Sequence, residues 1–261
     1  MKRSLGCVFG VWLMLSSAAW GAKKPSKEEL DAVTARGVLL AEYDQAAWHA
    51  TDAVRTLNAT GEGVRRWIGR KTATGWVVDF GQLNAEQSKF VVAYEAVQTD
   101  APEHFKVNTF VPGREDADFD LFAGRAIELA LRDFDSNAPM VQYNVAVLPA
   151  ESGRLYVYVY PAQVKVGVYP YGGDARYLVS GDGRTIIEKR QMHKAVLESI
   201  PGKTPSGSSA VGGFHSDILG DLPEDTDVFL VMARHPRMPE YVGAGGHVFV
   251  IAIDGGIEIA K

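Results

Sequence analysis

Two short runs carry the residue types from which a metal centre or a hydrolytic site could be built. The first is Gly212-Gly213-Phe214-His215-Ser216-Asp217; the second, after Ile218 to Leu222, is Pro223-Glu224-Asp225-Thr226-Asp227. Alternate residues of an extended strand point to the same side, so His215 and Asp217 share a face. An acidic turn within one loop of them completes a set of imidazole and carboxylate donors of the kind that holds a divalent ion. The same residues admit a plainer reading as a solvated acidic turn. Carboxylates in the first turn of a helix are favoured by the helix dipole without any metal, and a histidine at a strand end can be simply hydrogen-bonded.

The other candidates are weaker. His193 lies in Arg190-Gln191-Met192-His193-Lys194, where neighbouring cations oppose a bound cation, and reads as a surface residue. His235 precedes Pro236 in a loop and His247 opens a strand after Gly245-Gly246; spacing alone brings neither to the site. No Gly-x-Ser-x-Gly elbow is present, and the glycine runs at 172–173 and 243–246 lack the Lys-Ser/Thr ending of a phosphate loop. A nucleotide site is not expected.

The elements that must position these residues belong to a folded globular chain, 46% hydrophobic and 23% charged over 261 residues. Residues 1–22 read as a secretory signal: Lys2 and Arg3, an apolar run from Leu5 to Leu15, then the small residues Ser16 to Ala19. The run is short for a bilayer span, so cleavage and a periplasmic or secreted protein are expected, with no membrane span afterwards. Cys7, the only cysteine, lies inside this signal, leaving no disulfide, cysteine nucleophile or cysteine-bound zinc in the mature chain. Loss of Lys2 and Arg3 takes the formal charge from -5 to -7. That acidic balance, without a basic cluster, excludes nucleic acid as an expected partner.

The fold class expected is α+β: N-terminal helices with short antiparallel strands, then a β-rich C-terminal half, with a boundary between 23–165 and 166–261. Ser26-Lys27-Glu28-Glu29 has capping-box spacing and opens a long amphipathic helix, with Gly37 as a place for a bend and Trp48 in the core. Trp76 to Phe80 and Phe90 to Tyr94 read as an antiparallel pair. Asp116 or Asp118 caps a second helix, stopped by Asn137 and Pro139. Strands are expected at Tyr143–Leu148 and Leu155–Tyr160, the latter presenting Tyr156, Tyr158 and Tyr160 on one face as packing, and at 176–179, 185–188, 210–214, 228–232, 247–253 and 257–259. Residues 189–199 read as a short helix and 201–209 as a surface loop, and Asn58-Ala59-Thr60 matches a glycosylation acceptor.

His215-Ser216-Asp217 followed by Pro223-Glu224-x-x-Asp227 resembles the JAB/MPN (JAMM) metalloisopeptidase pattern, over about residues 172–259. That family form is His-Ser/Thr-His, a short loop, then Pro-Ser-x-x-Asp, with two histidines and the aspartate on zinc, the serine at the oxyanion and an earlier-strand glutamate as acid/base. By resemblance His215 and Asp227 match the first and third ligands, Asp217 stands for the second histidine, Glu224 for the serine and Asp174 for the glutamate. The loop is one residue shorter than the family's. A His215, Asp217, Asp227 set would neutralise a divalent zinc and blunt its Lewis acidity, and more oxygen ligation shifts preference towards Mn, Mg or Ca. A carboxylate in place of the serine opposes a developing oxyanion.

The resemblance thus implies a catalytically degenerate site: an exported, non-catalytic binding or structural module of the envelope for a protein or peptide partner, holding no metal or one divalent ion. The alternative is a metal-dependent hydrolase of peptide or isopeptide bonds, with Asp174 moving the proton. A calcium-stabilised structural module is a third reading.

Overall fold

The computed structural model describes residues 24–57, 61–135, 140–202 and 210–260. The expected signal, the Asn58 acceptor, the Asn137–Pro139 stop and most of the 201–209 loop lie outside these residues. Among the described residues the architecture is α+β: three α-helices and four small sheets. No helix among the described residues is long and apolar enough to cross a membrane.

Helix α1 (Lys27–Arg55) starts at the expected capping box: the Ser26 hydroxyl accepts from the Glu29 N–H while the Glu29 carboxylate accepts from the Ser26 N–H. The helix runs unbroken through Gly37, whose role is close approach. A Cβ there would lie 2.5 Å from the Val228 Cβ and inside contact distance of the Asp225 carbonyl oxygen. Both belong to helix α3 (Asp225–Ala233), so a hydrogen at position 37 lets the two helices touch. Trp48 corrects the core expectation: it is 55% exposed and stacks on His49, with ring centroids 4.9 Å apart.

The first sheet is an antiparallel meander of β1 (Arg66–Thr72), β2 (Gly75–Leu83), β3 (Phe90–Gln98) and β4 (Phe105–Asp116). The central pair is the one expected. Its edges escape the alternation pattern because β1 is rich in Arg and Lys and β4 contains Pro112, a residue that edge strands tolerate. Helix α2 (Phe119–Asp133) is capped by the Asp116 carboxylate, which accepts from the Asp118 and Asp120 N–H groups. Its Leu121, Ile127 and Ala130 pack with Phe90 of β3 and with Val157 of the second sheet.

That second sheet, in spatial order, is β5 (Tyr143–Pro149), β6 (Leu155–Pro161), β8 (Ala175–Val179) and β9 (Ile186–Gln191), all antiparallel. The expected boundary near residue 165 falls between β6 and β8, which are hydrogen-bonded neighbours in this sheet. The tyrosine face of β6 is structural, as expected: the Tyr158 hydroxyl donates to Asp225 at 2.9 Å and the Tyr160 hydroxyl to Asp44 at 2.8 Å. Strands β7 (Tyr169–Gly172) and β10 (Val196–Ser199) form a separate ribbon, so the helix expected over 189–199 is instead the end of β9, a connection and β10.

In the fourth sheet β11 (Gly213–Ser216) runs parallel to β12 (Glu240–Ala244), followed by antiparallel β13 (His247–Ile251) and β14 (Ile257–Ile259). The expected strand at 228–232 is the body of α3. Val228-Phe229-Leu230-Val231-Met232 is apolar throughout because α3 is covered by α1 and by this sheet, and an unbroken apolar run has no period to distinguish helix from strand.

Two predictions concern this scaffold. Gly37→Ala should lower stability by about 1–3 kcal/mol in urea unfolding despite alanine's better helix propensity, because the overlap is with backbone and a branched Cβ. The second concerns Asp120, which is fully buried with neither carboxylate oxygen hydrogen-bonded and Arg70 Nε 3.6 Å away. Burial and then the facing Asp79 push its carboxyl up to about 8. The native state therefore holds a proton that the unfolded chain releases near pH 4. Its contribution is complete below that pH and is lost as pH rises through about 8. Thermal melts from pH 5 to 9 should show a smaller decline for Asp120→Asn than for the wild type.

Candidate metal centre

The loop and first turn of α3 form no solvated acidic turn. Glu224, Asp225, Thr226 and Asp227 are all buried, and each carboxylate has its own cationic partner. Glu224 takes Arg190 Nε at 2.9 and 3.0 Å, and burial pushes its carboxyl up to about 7 against that cation. Asp225 takes Arg36 Nε at 3.0 Å on both oxygens, with Arg176 and the Tyr158 hydroxyl. Asp227 closes the capping box, its Oδ2 accepting from the Glu224 N–H at 2.8 Å, which leaves Oδ1 to face inward.

Two imidazoles converge on that Oδ1. His215 Nε2 lies 2.9 Å from it and His193 Nε2 3.1 Å, the latter without hydrogen-bond alignment, so this nitrogen is buried with no hydrogen-bond partner. One ligand atom from each of His193, His215 and Asp227 lies within 4.8 Å of the others, a grouping that could hold a metal ion. The outward nitrogens are fixed by carboxylates: His193 Nδ1 by Asp174 Oδ1 at 2.8 Å and His215 Nδ1 by Glu240 Oε1 at 2.9 Å. Each carboxylate holds the Nδ1 proton, which aims the Nε2 position of both rings inward. Carboxylates behind metal-binding histidines characteristically set ring orientation and raise basicity in this way.

The carboxylates are themselves anchored. Gly172 and Gly173 both adopt positive φ, +77° and +61°, and a Cβ on Gly172 would overlap the Ala195 carbonyl. This tight turn sets Asp174 beneath His193, where Asp174 Oδ1 also accepts the His193 backbone N–H at 3.0 Å. Glu240 Oε2 accepts from the fully buried Arg234, 2.8 Å away, whose fork also reaches the Met238 carbonyl at 2.6 Å.

Positive charge is required between two ring nitrogens and one carboxylate oxygen. With protons in that role, burial opposes the charge, but Asp227 and Asp174 push His193 up to about 12, and Asp227 and Glu240 push His215 up to about 9. Burial would raise the Asp227 carboxyl, yet the two imidazoles hold it well below the usual carboxylate range. A divalent ion would supply the same charge in place of those protons.

Of the residues expected at the site, the structure brings together His215 and Asp227. Asp217 is buried on the same side of β11, but its Oδ1 accepts the Leu219 N–H at 2.8 Å, its Oδ2 has no partner, and it is not one of the grouped ligands. Asp174 stands behind His193, on the nitrogen turned away from Asp227. His193 is the residue that sequence reasoning missed: the basic neighbours that argued for a surface position do not face it, since Arg190 is spent on Glu224. The available signal was Met192, fully buried beside it, together with the Gly172-Gly173-Asp174 turn. Among the described residues neither His235 nor His247 joins the group.

For a metal ion held by this grouping, Glu240→Gln and Asp174→Asn should each weaken affinity about 10- to 100-fold, read with added zinc by competition with a chromophoric chelator, while far-UV circular dichroism stays unchanged. Compared with protein-family models, curated proteins and solved structures, the chain matches none.

Proposed function

We propose that the protein is an exported metal-dependent hydrolase of peptide or isopeptide bonds, with His193, His215 and Asp227 as ligands to a zinc ion. The observation that carries this reading is the convergence of two carboxylate-backed imidazoles on one inward carboxylate oxygen. Two imidazoles and one carboxylate form a donor set typical of catalytic zinc, with a coordination position left over for water or substrate. Calcium, which takes six to eight oxygen ligands, fits this set poorly.

The ligand exchange also answers the two objections to catalysis that the sequence raised. With His193 in place of Asp217 the three donors themselves carry one negative charge, so a bound zinc would retain net positive charge and the Lewis acidity to polarise a carbonyl and activate water. Glu224, where the JAB/MPN pattern has a serine, faces Arg190, which offsets its charge. Asp174 and Glu240 position the rings and hold the Nδ1 protons. The resemblance to JAB/MPN metalloisopeptidases suggests the bond class, and it acquires a second histidine from outside the motif.

A non-catalytic envelope module remains the second reading. It is favoured by burial, with His193 7% and His215 6% exposed, a depth that also suits a metal held for structure. Elemental analysis of protein purified without chelator separates these outcomes. One equivalent of zinc, lost in folded His193→Ala and Asp227→Ala variants, together with chelator-sensitive cleavage of a mixed peptide library, is expected. Zinc without cleavage would favour the structural module, iron would redirect the chemistry to the oxidative reactions of two-histidine, one-carboxylate iron sites, and no metal even after addition would refute the proposal.

A further inference from the structure

Among the described residues, the strand that carries His215 is also the edge of its sheet. In the parallel pair with β12, the Gly213 N–H donates to the Pro239 carbonyl and the Asp217 N–H to the Gly243 carbonyl, each at 2.9 Å, with His215 in register with Val242 between them. Alternate residues of a parallel strand bond to a given neighbour, so the backbone groups of Phe214 and Ser216 face the other way. Among the described residues no strand pairs with that side, since β11 ends the sheet.

Native edges are commonly blunted by charge, proline, a bulge or a covering element. Gly213-Phe214-His215-Ser216 has no lysine, proline or outward-facing charge. Its outward side chains are Ser216 and Phe214, the latter 64% exposed, and beside them on the outer face lie the exposed Tyr241 and Val248, with Ile218 and Leu219 at the strand's exit. The edge therefore offers backbone donors and acceptors together with an apolar strip, one pleat away from the inward-facing His215 imidazole.

We infer that this edge is the substrate-docking strand: an extended peptide adds to β11 beside Phe214 and Ser216, lays apolar side chains on the outer strip, and brings its scissile bond to the His193, His215, Asp227 centre. The inference rests on the hydrolase reading and deepens it by naming the substrate class, an unfolded apolar peptide segment. Main-chain bonds to a free edge give affinity with little sequence demand, while alternate side chains supply selectivity. A sugar or a nucleotide has no peptide backbone to offer that edge.

The test uses zinc-loaded full-length protein and three probes in calorimetric titrations: acetohydroxamate, an acetylated pentapeptide hydroxamate of alternating valine and threonine, and its twin N-methylated at alternate amides. The peptide hydroxamate should bind about a hundredfold more tightly than acetohydroxamate, and the methylated twin should lose at least about tenfold of that gain. Ser216→Pro, which deletes an edge N–H without touching the bonds to β12, should give the same loss while zinc content and acetohydroxamate affinity stay unchanged. Equal affinity of peptide and acetohydroxamate for zinc-loaded protein would overturn the docking edge and leave the metal centre standing. Failure to take up zinc, with no binding of any hydroxamate, would overturn the hydrolase reading and this inference together.

Discussion

Three carboxylates buried within one turn of helix are the constraint on which the rest of the molecule depends. Glu224, Asp225 and Asp227 start α3 inside the protein, where uncompensated charge is prohibitive. Each is matched by a cation from a different element: Arg190 at the end of β9, Arg36 on α1 with Arg176 on β8, and the two histidines from the β9–β10 connection and β11. The helix dipole adds a fourth favourable contribution, because all three side chains sit at its positive end. The helix can lie where it does only if all these elements are in place.

This matching makes the N-terminal half part of the site's construction. α1 delivers Arg36 to Asp225 and, one residue on, Gly37 as the point of contact with α3; β6 adds the Tyr158 hydroxyl. A displacement of α1 would therefore reach Asp227 through two residues of helix. The sheet formed by β5, β6, β8 and β9 likewise joins the two halves, packing with α2 through one face and with α1 through the other, while the first meander contributes to both cores. Among the described residues the meander is joined to the rest of the molecule through α1, α2 and this sheet.

Electrostatically the centre is a chain of alternating sign: Asp174, His193, Asp227, His215, Glu240, Arg234. The end members are held by backbone geometry at Gly172–Gly173 and by carbonyl groups around Arg234, so the inner three have little freedom to move apart. Such preorganisation is what a metal centre requires of its surroundings, since ligands already aimed inward lose little entropy on binding an ion. It also explains why Asp217, closer in sequence, is not part of the group: its free oxygen has no support that would aim it at the same point.

The sequence by itself determined the local features. Ser26 and Glu29 are a capping box because both groups lie within one turn, β2 and β3 alternate because each has two distinct faces, and His215 and Asp227 belong to a motif readable at short range. Period failed where burial is on all sides, as in α3, and at the edge strands, where β1 is rich in Arg and Lys and β4 is interrupted by Pro112 and Gly113. Only the tertiary structure decided that Arg190 turns to Glu224 and thereby frees its neighbour His193 to turn inward, or that a glycine in α1 marks a helix contact instead of a bend. The physical reason is that a charge's effect on its neighbours depends on where its partner comes from, and those partners lie tens to hundreds of residues away along the chain: 34 from Arg190 to Glu224 and 189 from Arg36 to Asp225.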